Sequence, residues 1–233
     1  MRIKFTTPQE PGIYLHIRRA NRVWTLCGVK GEEIEKVSVN DAGLSLDCYR
    51  VIVQADGKSA LVIRFADLHR HSDYSLMDGM TKIPEMVKRT EYAGALTDHG
   101  NMYGFLEHYK AMKKAGKKPI LGVEAYQEDL KGELDGNHLI LLAKNFKGYQ
   151  NLIKLTSESF DHFYRKPHVT WEMLKKYHEG IIATSACLGG IIPQALMKGN
   201  LEEAEYAIRQ FQKLFGEDFY LEIQRHGIKG EEQ

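Results

Sequence analysis

Beyond about residue 65 the sequence changes period, and this change limits its possible folds more than any other feature. Short apolar runs at Phe65–His69, Gly94–Thr97, Pro119–Tyr126, His138–Ala143, Gly180–Thr184 and Phe219–Gln224 have strand length. Between them lie segments with helical spacing of apolar residues, at Ile83–Tyr92, Tyr103–Ala115, Tyr149–Phe160, Trp171–Tyr177, Ile191–Met197 and Leu201–Phe215. Pro84 sits where a first helical turn tolerates a missing N–H, and Gly116 stands where a helix would end. Strands alternating with helices predict βαβ units and a parallel sheet. No glycine-rich phosphate fingerprint follows the first strand, so a barrel-type sheet is expected rather than a dinucleotide-binding one.

The first 64 residues follow a different pattern. Ile13–Ile17 and Arg22–Val29 are short β-branched and aromatic runs, and Leu44, Leu46 and Cys48 alternate with polar residues. Lys30-Gly31 and Asn40-Asp41-Ala42-Gly43 are turn signals. Cys48–Gln54 and Ser59–Phe65 flank an Asp56-Gly57 pair, a strong hairpin signal. The expected organisation is a small all-β module over residues 1–64, with four to six strands, followed by an α/β domain over 65–233. His16 and Cys27 are expected to be ordinary positions in that module.

Composition removes several functional classes. With 32 Lys+Arg against 31 Asp+Glu, the 233-residue chain carries a net charge of +1. It is a poor candidate for gripping nucleic acid by charge alone. It has no apolar run long enough for a membrane helix and no secretory leader pattern. Three scattered cysteines form no disulfide framework and point to a reducing, cytoplasmic location.

Chemistry-bearing residues gather at the predicted strand ends. The first strand runs into Asp67-Leu68-His69-Arg70-His71, where alternate residues share a face and two imidazoles suit a divalent metal. Asp78 follows in a loop that can fold back. The second strand ends in Thr97-Asp98-His99, and Asp98 is open to three readings: ligand, orienter of an imidazole or helix cap. Glu124 interrupts an apolar strand, a costly position unless it is paired or bound to metal. Cys187 follows the fifth strand, Glu222 lies on the sixth, and His226 comes just after it. Active sites of parallel barrels form at strand C-termini. His138 opens its strand, so it joins the set only if that strand enters irregularly or runs antiparallel.

At these residues the sequence resembles the polymerase and histidinol phosphatase (PHP) domain found at the N-terminus of bacterial DNA polymerase III α subunits. The motifs carrying the resemblance are FADLHRHSDYSLMDG, LTDHGNMYG, KPILGVEAY, HLILLAKNFKGYQNL and FYLEIQRHG, spanning Phe65 to the end. The resemblance implies a distorted (β/α)7 barrel with up to three metal ions at the strand C-termini. It makes His69, His71, Asp78, His99, Glu124, His138 and Cys187 the ligands, with Glu124 bridging. Asp67, Asp98, Glu222, His226 and Arg70 are then candidates for orienting ligands or touching substrate. In relatives the ligand set is completed by an Asp-x-His motif that this sequence does not reach, so the barrel is expected to be incomplete at its C-terminus.

The ligand types favour Zn²⁺, Mn²⁺ or Fe²⁺ over Mg²⁺. The implied activity is metal-dependent phosphodiester hydrolysis, as a 3′→5′ proofreading exonuclease within a replicative polymerase. Implied partners are the remainder of the α subunit, primer-template DNA through the full polymerase, and exonuclease and clamp subunits. Two other classes stay open: a stand-alone metal-dependent phosphoesterase, and a non-catalytic platform for partner subunits. The basic run Lys113, Lys114, Lys117 and Lys118 is expected to be a solvated helix end.

Overall fold

The computed structural model describes residues 66–134 and 136–224 in full. Before them it describes the backbone of six strands: β1 (Ile3–Lys4), β2 (His16–Ala20), β3 (Val23–Cys27), β4 (Glu33–Val37), β5 (Tyr49–Val53) and β6 (Ala60–Arg64). The chain divides into two units, Met1–Phe65 and Ala66–Gln233. In the first, β1 to β4 form an antiparallel sheet in chain order, and β5 pairs with β6 as a hairpin. The Asp56-Gly57 turn itself and the Leu44–Cys48 run lie outside the described residues.

The second unit holds β7 (Ala66–Asp67), α1 (Ile83–Arg89), β8 (Ala93–Leu96), α2 (Phe105–Lys114), β9 (Lys118–Gln127), β10 (Asn137–Ala143) and α3 (Phe146–Glu158). A small hairpin follows, β11 (Phe163–Tyr164) and β12 (Lys166–Pro167). Then come α4 (Trp171–Tyr177), β13 (Ile181–Thr184), α5 (Ile191–Met197), α6 (Leu201–Phe215) and β14 (Phe219–Tyr220). Six strands make one sheet in the order β14-β13-β10-β9-β8-β7.

The wholly parallel sheet expected from the alternation is corrected at one strand. β10 runs antiparallel to both β9 and β13, while the β7–β8, β8–β9 and β13–β14 pairs are parallel. No helix intervenes between β9 and β10, so that connection needs no crossover and can reverse. Two strands are also shorter than expected. The chain leaves the ladder after Asp67, where the His69–His71 segment turns toward the strand ends, and again after Tyr220.

The sheet is rolled. Six flat strands spaced about 4.8 Å apart would hold β7 and β14 roughly 24 Å from each other. Yet His69, just past β7, and Glu222, just past β14, meet at 2.7 Å. Helices cover the outside of the roll. Val123, Leu139, Leu141 and Ile181 on the strands pack against Leu152, Leu155, Leu174 and Phe211 on the helices. The inner face carries a smaller apolar plug, Ala95, Ile140, Leu142 and Ala186. Alternation along β10 sends odd positions outward to the helices and even positions inward.

Helix ends follow local chemistry. Asn145 caps α3 by accepting from Gly148 N at 3.0 Å, starting that helix three residues before the apolar spacing suggests. Thr170 caps α4, and Asn200 caps α6 by accepting from Glu203 N. Ala204, Ala207, Phe211 and Phe215 form the buried stripe of α6. Among the described residues no helix is long and apolar enough to cross a membrane.

Candidate metal centre

Strand alternation aims the centre. On β9, Val123 and Ala125 enter the helix-facing core, which leaves Glu124 and Tyr126 on the inner face. The antiparallel register with β10 sets His138 opposite Tyr126 and Ile140 opposite Glu124. Residues directly opposite share a face, so reversing β10 brings its first residues to the rim where the other strands end. Beyond β8 the chain still follows β9. His99 bridges to Glu124, Gly100 N donates to Glu124 O at 2.8 Å, and Glu124 N donates to Asp98 O at 3.1 Å.

Glu124 is 0% exposed, and four imidazoles surround its carboxylate. Oε1 lies 2.8 Å from His138 Nδ1 and 3.3 Å from His69 Nε2. Oε2 lies 3.0 Å from His99 Nδ1 and 3.1 Å from His71 Nε2. The His71 and His99 rings stack 4.2 Å apart, and His69 meets His71 edge-on. Cys187 Sγ stands 3.3 Å from His138 Nδ1 and 3.6 Å from Glu124 Oε1.

The electrostatics follow from this packing. Burial opposes charge on Glu124, but the imidazoles of His138, His69, His71 and His99 outweigh it and hold the carboxyl far below the ordinary range. Burial also opposes a charged His69, yet Glu124 and Glu222 prevail and push it up to about 9. The same balance, with Glu124 and Asp78, raises His99. Burial, joined by the Glu124 charge, pushes the Cys187 thiol up to about 11.

Whether the residues suit a cation is answered by atoms left without partners. Glu124 Oε2 and His99 Nδ1 are both buried and lack a hydrogen-bond partner, although they are 3.0 Å apart. A carboxylate oxygen and a neutral imidazole nitrogen facing each other at that distance suit a shared cation. The triads His69–His71–Glu124 and His99–Glu124–His138 each present ligand atoms within 4.8 Å of one another. Both contain Glu124. A mixed imidazole and carboxylate set fits a divalent metal.

Other side chains hold this arrangement. Asp98 is buried and accepts from Ser72 N, Ser72 Oγ and Ser75 Oγ at 2.7–2.8 Å. It fastens the loop after His71. Ser75 Oγ lies in turn 3.4 Å from His71 Nδ1 and accepts from His99 N. That loop brings Asp78 Oδ2 to 2.9 Å from His99 Nε2. Glu222 Oε1 lies 2.7 Å from His69 Nδ1, while Thr184 Oγ1 and Gln224 Nε2 donate to Glu222 at 2.6 Å.

Two candidates lie away from the cluster. Arg70 turns outward: its Nε donates to Ala95 O and its Nη1 to Thr90 Oγ1, tying the segment to β8 and the end of α1. Asp67 is half-exposed, and its carboxylate accepts from His69 N. Leaving the ladder at Asp67 breaks the alternation that would have aligned it with His69. His226 lies outside the described residues. The residues that spacing did not single out are Tyr126, which stacks on His99 at 5.6 Å, Gln224 and Thr184. Only Tyr126 carried a signal, since it is two positions from Glu124 on one strand.

Fold and rim together define an α/β protein with a rolled mixed sheet and a histidine–carboxylate centre at one end. The PHP domain family model matches residues 67–226, and the chain belongs to that family. It is 50% identical over 184 residues to the DNA polymerase III subunit alpha of Borreliella burgdorferi, covering 72% of this chain and 16% of that protein. It is 42% identical over 183 residues to the same-named protein of Thermus aquaticus, covering 71% and 15% respectively. The chain therefore spans about a sixth of the length of these curated relatives. A solved structure of an amidohydrolase from Chromobacterium violaceum aligns with a TM-score of 0.33 at 24% identity, over 41% of this chain and 33% of that one.

Proposed function

We propose that the Glu124 centre holds divalent cations and hydrolyses phosphodiester bonds, as part of the PHP portion of a replicative DNA polymerase III α subunit. The observation that carries this reading is a fully buried carboxylate enclosed by four imidazoles, with one oxygen left without a hydrogen-bond partner. His69 and His71 would hold one cation together with Glu124, and His99 and His138 would hold a second with the same carboxylate. Asp78 and Cys187 complete the set from the loop and from the end of β13. Zn²⁺, Mn²⁺ or Fe²⁺ matches these donors, up to three ions in a complete site. Bound there, such ions would supply Lewis acidity, lowering the pKa of a water and neutralising charge on the scissile phosphate.

The protein's own part is placement. Glu124 sets the spacing, Glu222 turns His69 by accepting from Nδ1, and Asp98 with Ser75 fixes the loop that carries Asp78. The apolar plug beneath keeps the floor dry. The substrate is a DNA strand, and the activity is 3′→5′ removal of nucleotides from a primer terminus. The working partners are the remainder of the α subunit, primer-template DNA, and exonuclease and clamp subunits, in the cytoplasm. The test is metal analysis of the purified chain alongside an assay on a 3′-labelled primer. Bound metal, with nuclease activity lost in His99→Ala, is the expected result. Metal without any phosphodiesterase activity, or no metal, overturns the catalytic reading and favours a structural platform. Hydrolysis of small phosphate esters but not of DNA favours a stand-alone phosphoesterase.

A further inference from the structure

A cationic side chain sits one aromatic ring away from the centre. Lys166 Nζ lies over the Tyr126 ring, 4.0 Å from its centroid. The same ring stacks on His99 at 5.6 Å and meets His138 edge-on at 5.4 Å. Among the described residues no carboxylate pairs with this ammonium, although it is near enough to feel the charge of Glu124.

Three features hold Lys166 in this position. Tyr164 pairs with Lys166 across a turn of one residue, Arg165, whose φ of 61° lies in the left-handed region that side chains other than glycine seldom adopt. Strain of this kind persists where the surrounding structure enforces it, often beside functional sites. The hairpin is docked on the segment that carries His99. A side chain at Gly100 would begin 3.1 Å from Pro167 Cγ and 3.2 Å from the Tyr126 ring. A side chain at Gly136 would begin 2.7 Å from Lys166 Cε. Gly136 leaves room for the Lys166 stem, and Gly100 for Pro167 and the Tyr126 ring beside it.

We propose that Lys166 is the phosphate-binding cation of this site, its ammonium donating to a non-bridging oxygen of the substrate's phosphodiester. The inference rests on the hydrolytic reading above and adds to it a substrate contact that the metal ligands do not provide. An ammonium held one aromatic ring from the cation positions lets the site recognise a phosphate that still carries negative charge. Tyr126 takes part as the seat of the ammonium.

The test compares the wild-type chain with Lys166→Met, which keeps the aliphatic stem on Tyr126, and with Lys166→Arg, which keeps the charge. Manganese uptake is measured first by chelator competition, then inorganic phosphate is titrated calorimetrically into each loaded protein. Equal manganese uptake in all three is expected. Phosphate binding should weaken about tenfold or more in Lys166→Met and stay near wild type in Lys166→Arg, the range for one charge-assisted hydrogen bond. Equal phosphate binding by the Met variant and wild type, with manganese uptake intact, overturns the Lys166 assignment alone. So does a Met variant that loses manganese together with phosphate, because Lys166 then serves the centre rather than the substrate. A wild-type chain that takes up no manganese, zinc or iron overturns the hydrolytic reading, and the subsite with it.

Discussion

His69 at the rim and His108 beneath β8 are both withdrawn from solvent, yet their surroundings drive them in opposite directions. His108 lies on α2, fully buried, donating from Nε2 to Gly94 O at 3.1 Å, with Nδ1 unpartnered. Burial, reinforced by the charge of Arg70, pushes it down to about 4. His69 is pushed up to about 9, because two carboxylates overcome the same desolvation. Burial alone therefore does not mark a chemical site. Placing carboxylates against imidazoles does, and the rim does this four times around Glu124, whereas the layer between α2 and β8 offers only a carbonyl.

That contrast can be broken most sharply at Glu124. Replacing it with alanine leaves the imidazoles without their common partner, and metal affinity should fall by more than about 100-fold, beyond the loss typical of an outer supporting residue. Retained affinity in chelator competition would show that the imidazoles suffice. The other side of the contrast is tested by pH. His108 has a folded value of about 4 against 6.5 for the free side chain. Above pH 6.5 its contribution to stability is fully present. As pH falls through 6.5 the unfolded chain takes up a proton that the folded chain refuses until about pH 4, so stability drains away across that window. The total is about 3 kcal/mol at roughly 1.4 kcal/mol per unit. Urea unfolding of the metal-free chain should therefore depend less on pH in His108→Leu than in wild type, and parallel curves would sink the assignment. The smallest change expected is at Glu222. Glu222→Ala should weaken metal binding about tenfold, while Glu222→Gln, which still accepts from His69 Nδ1, should restore most of it. Equal losses in both variants would mean that the charge of Glu222, and not its hydrogen bond, matters to the centre.

Elements and the residues that gather at the rim were more legible in the sequence than strand directions and supporting contacts. Trp171–Tyr177, Ile191–Met197 and Leu201–Phe215 are helices at the bounds their spacing predicts, because their apolar stripes and caps are local signals. Glu124 was conspicuous as a carboxylate inside an apolar strand. The reversal of β10 left only one trace, the placement of His138 at a strand start, since strand direction is set by pairing with distant neighbours. The β11–β12 hairpin was missed because two-residue strands carry no period. The work of Glu222 on His69, and of Asp98 on Ser72 and Ser75, depends on contacts between residues 23 to 153 positions apart, where spacing carries no information.

The meeting of His69 with Glu222 has a mechanical consequence. The first and last strands of the rolled sheet share no backbone hydrogen bonds among the described residues, so side chains act as the clasp between its two margins. The imidazole on one half of that clasp also faces Glu124. Any ion held there would pull the margins together as it binds, and part of its affinity would go into keeping the roll shut. Removing the ion should then loosen β7 and β14 first, visible as faster amide exchange at the margins while β9 and β10 remain protected.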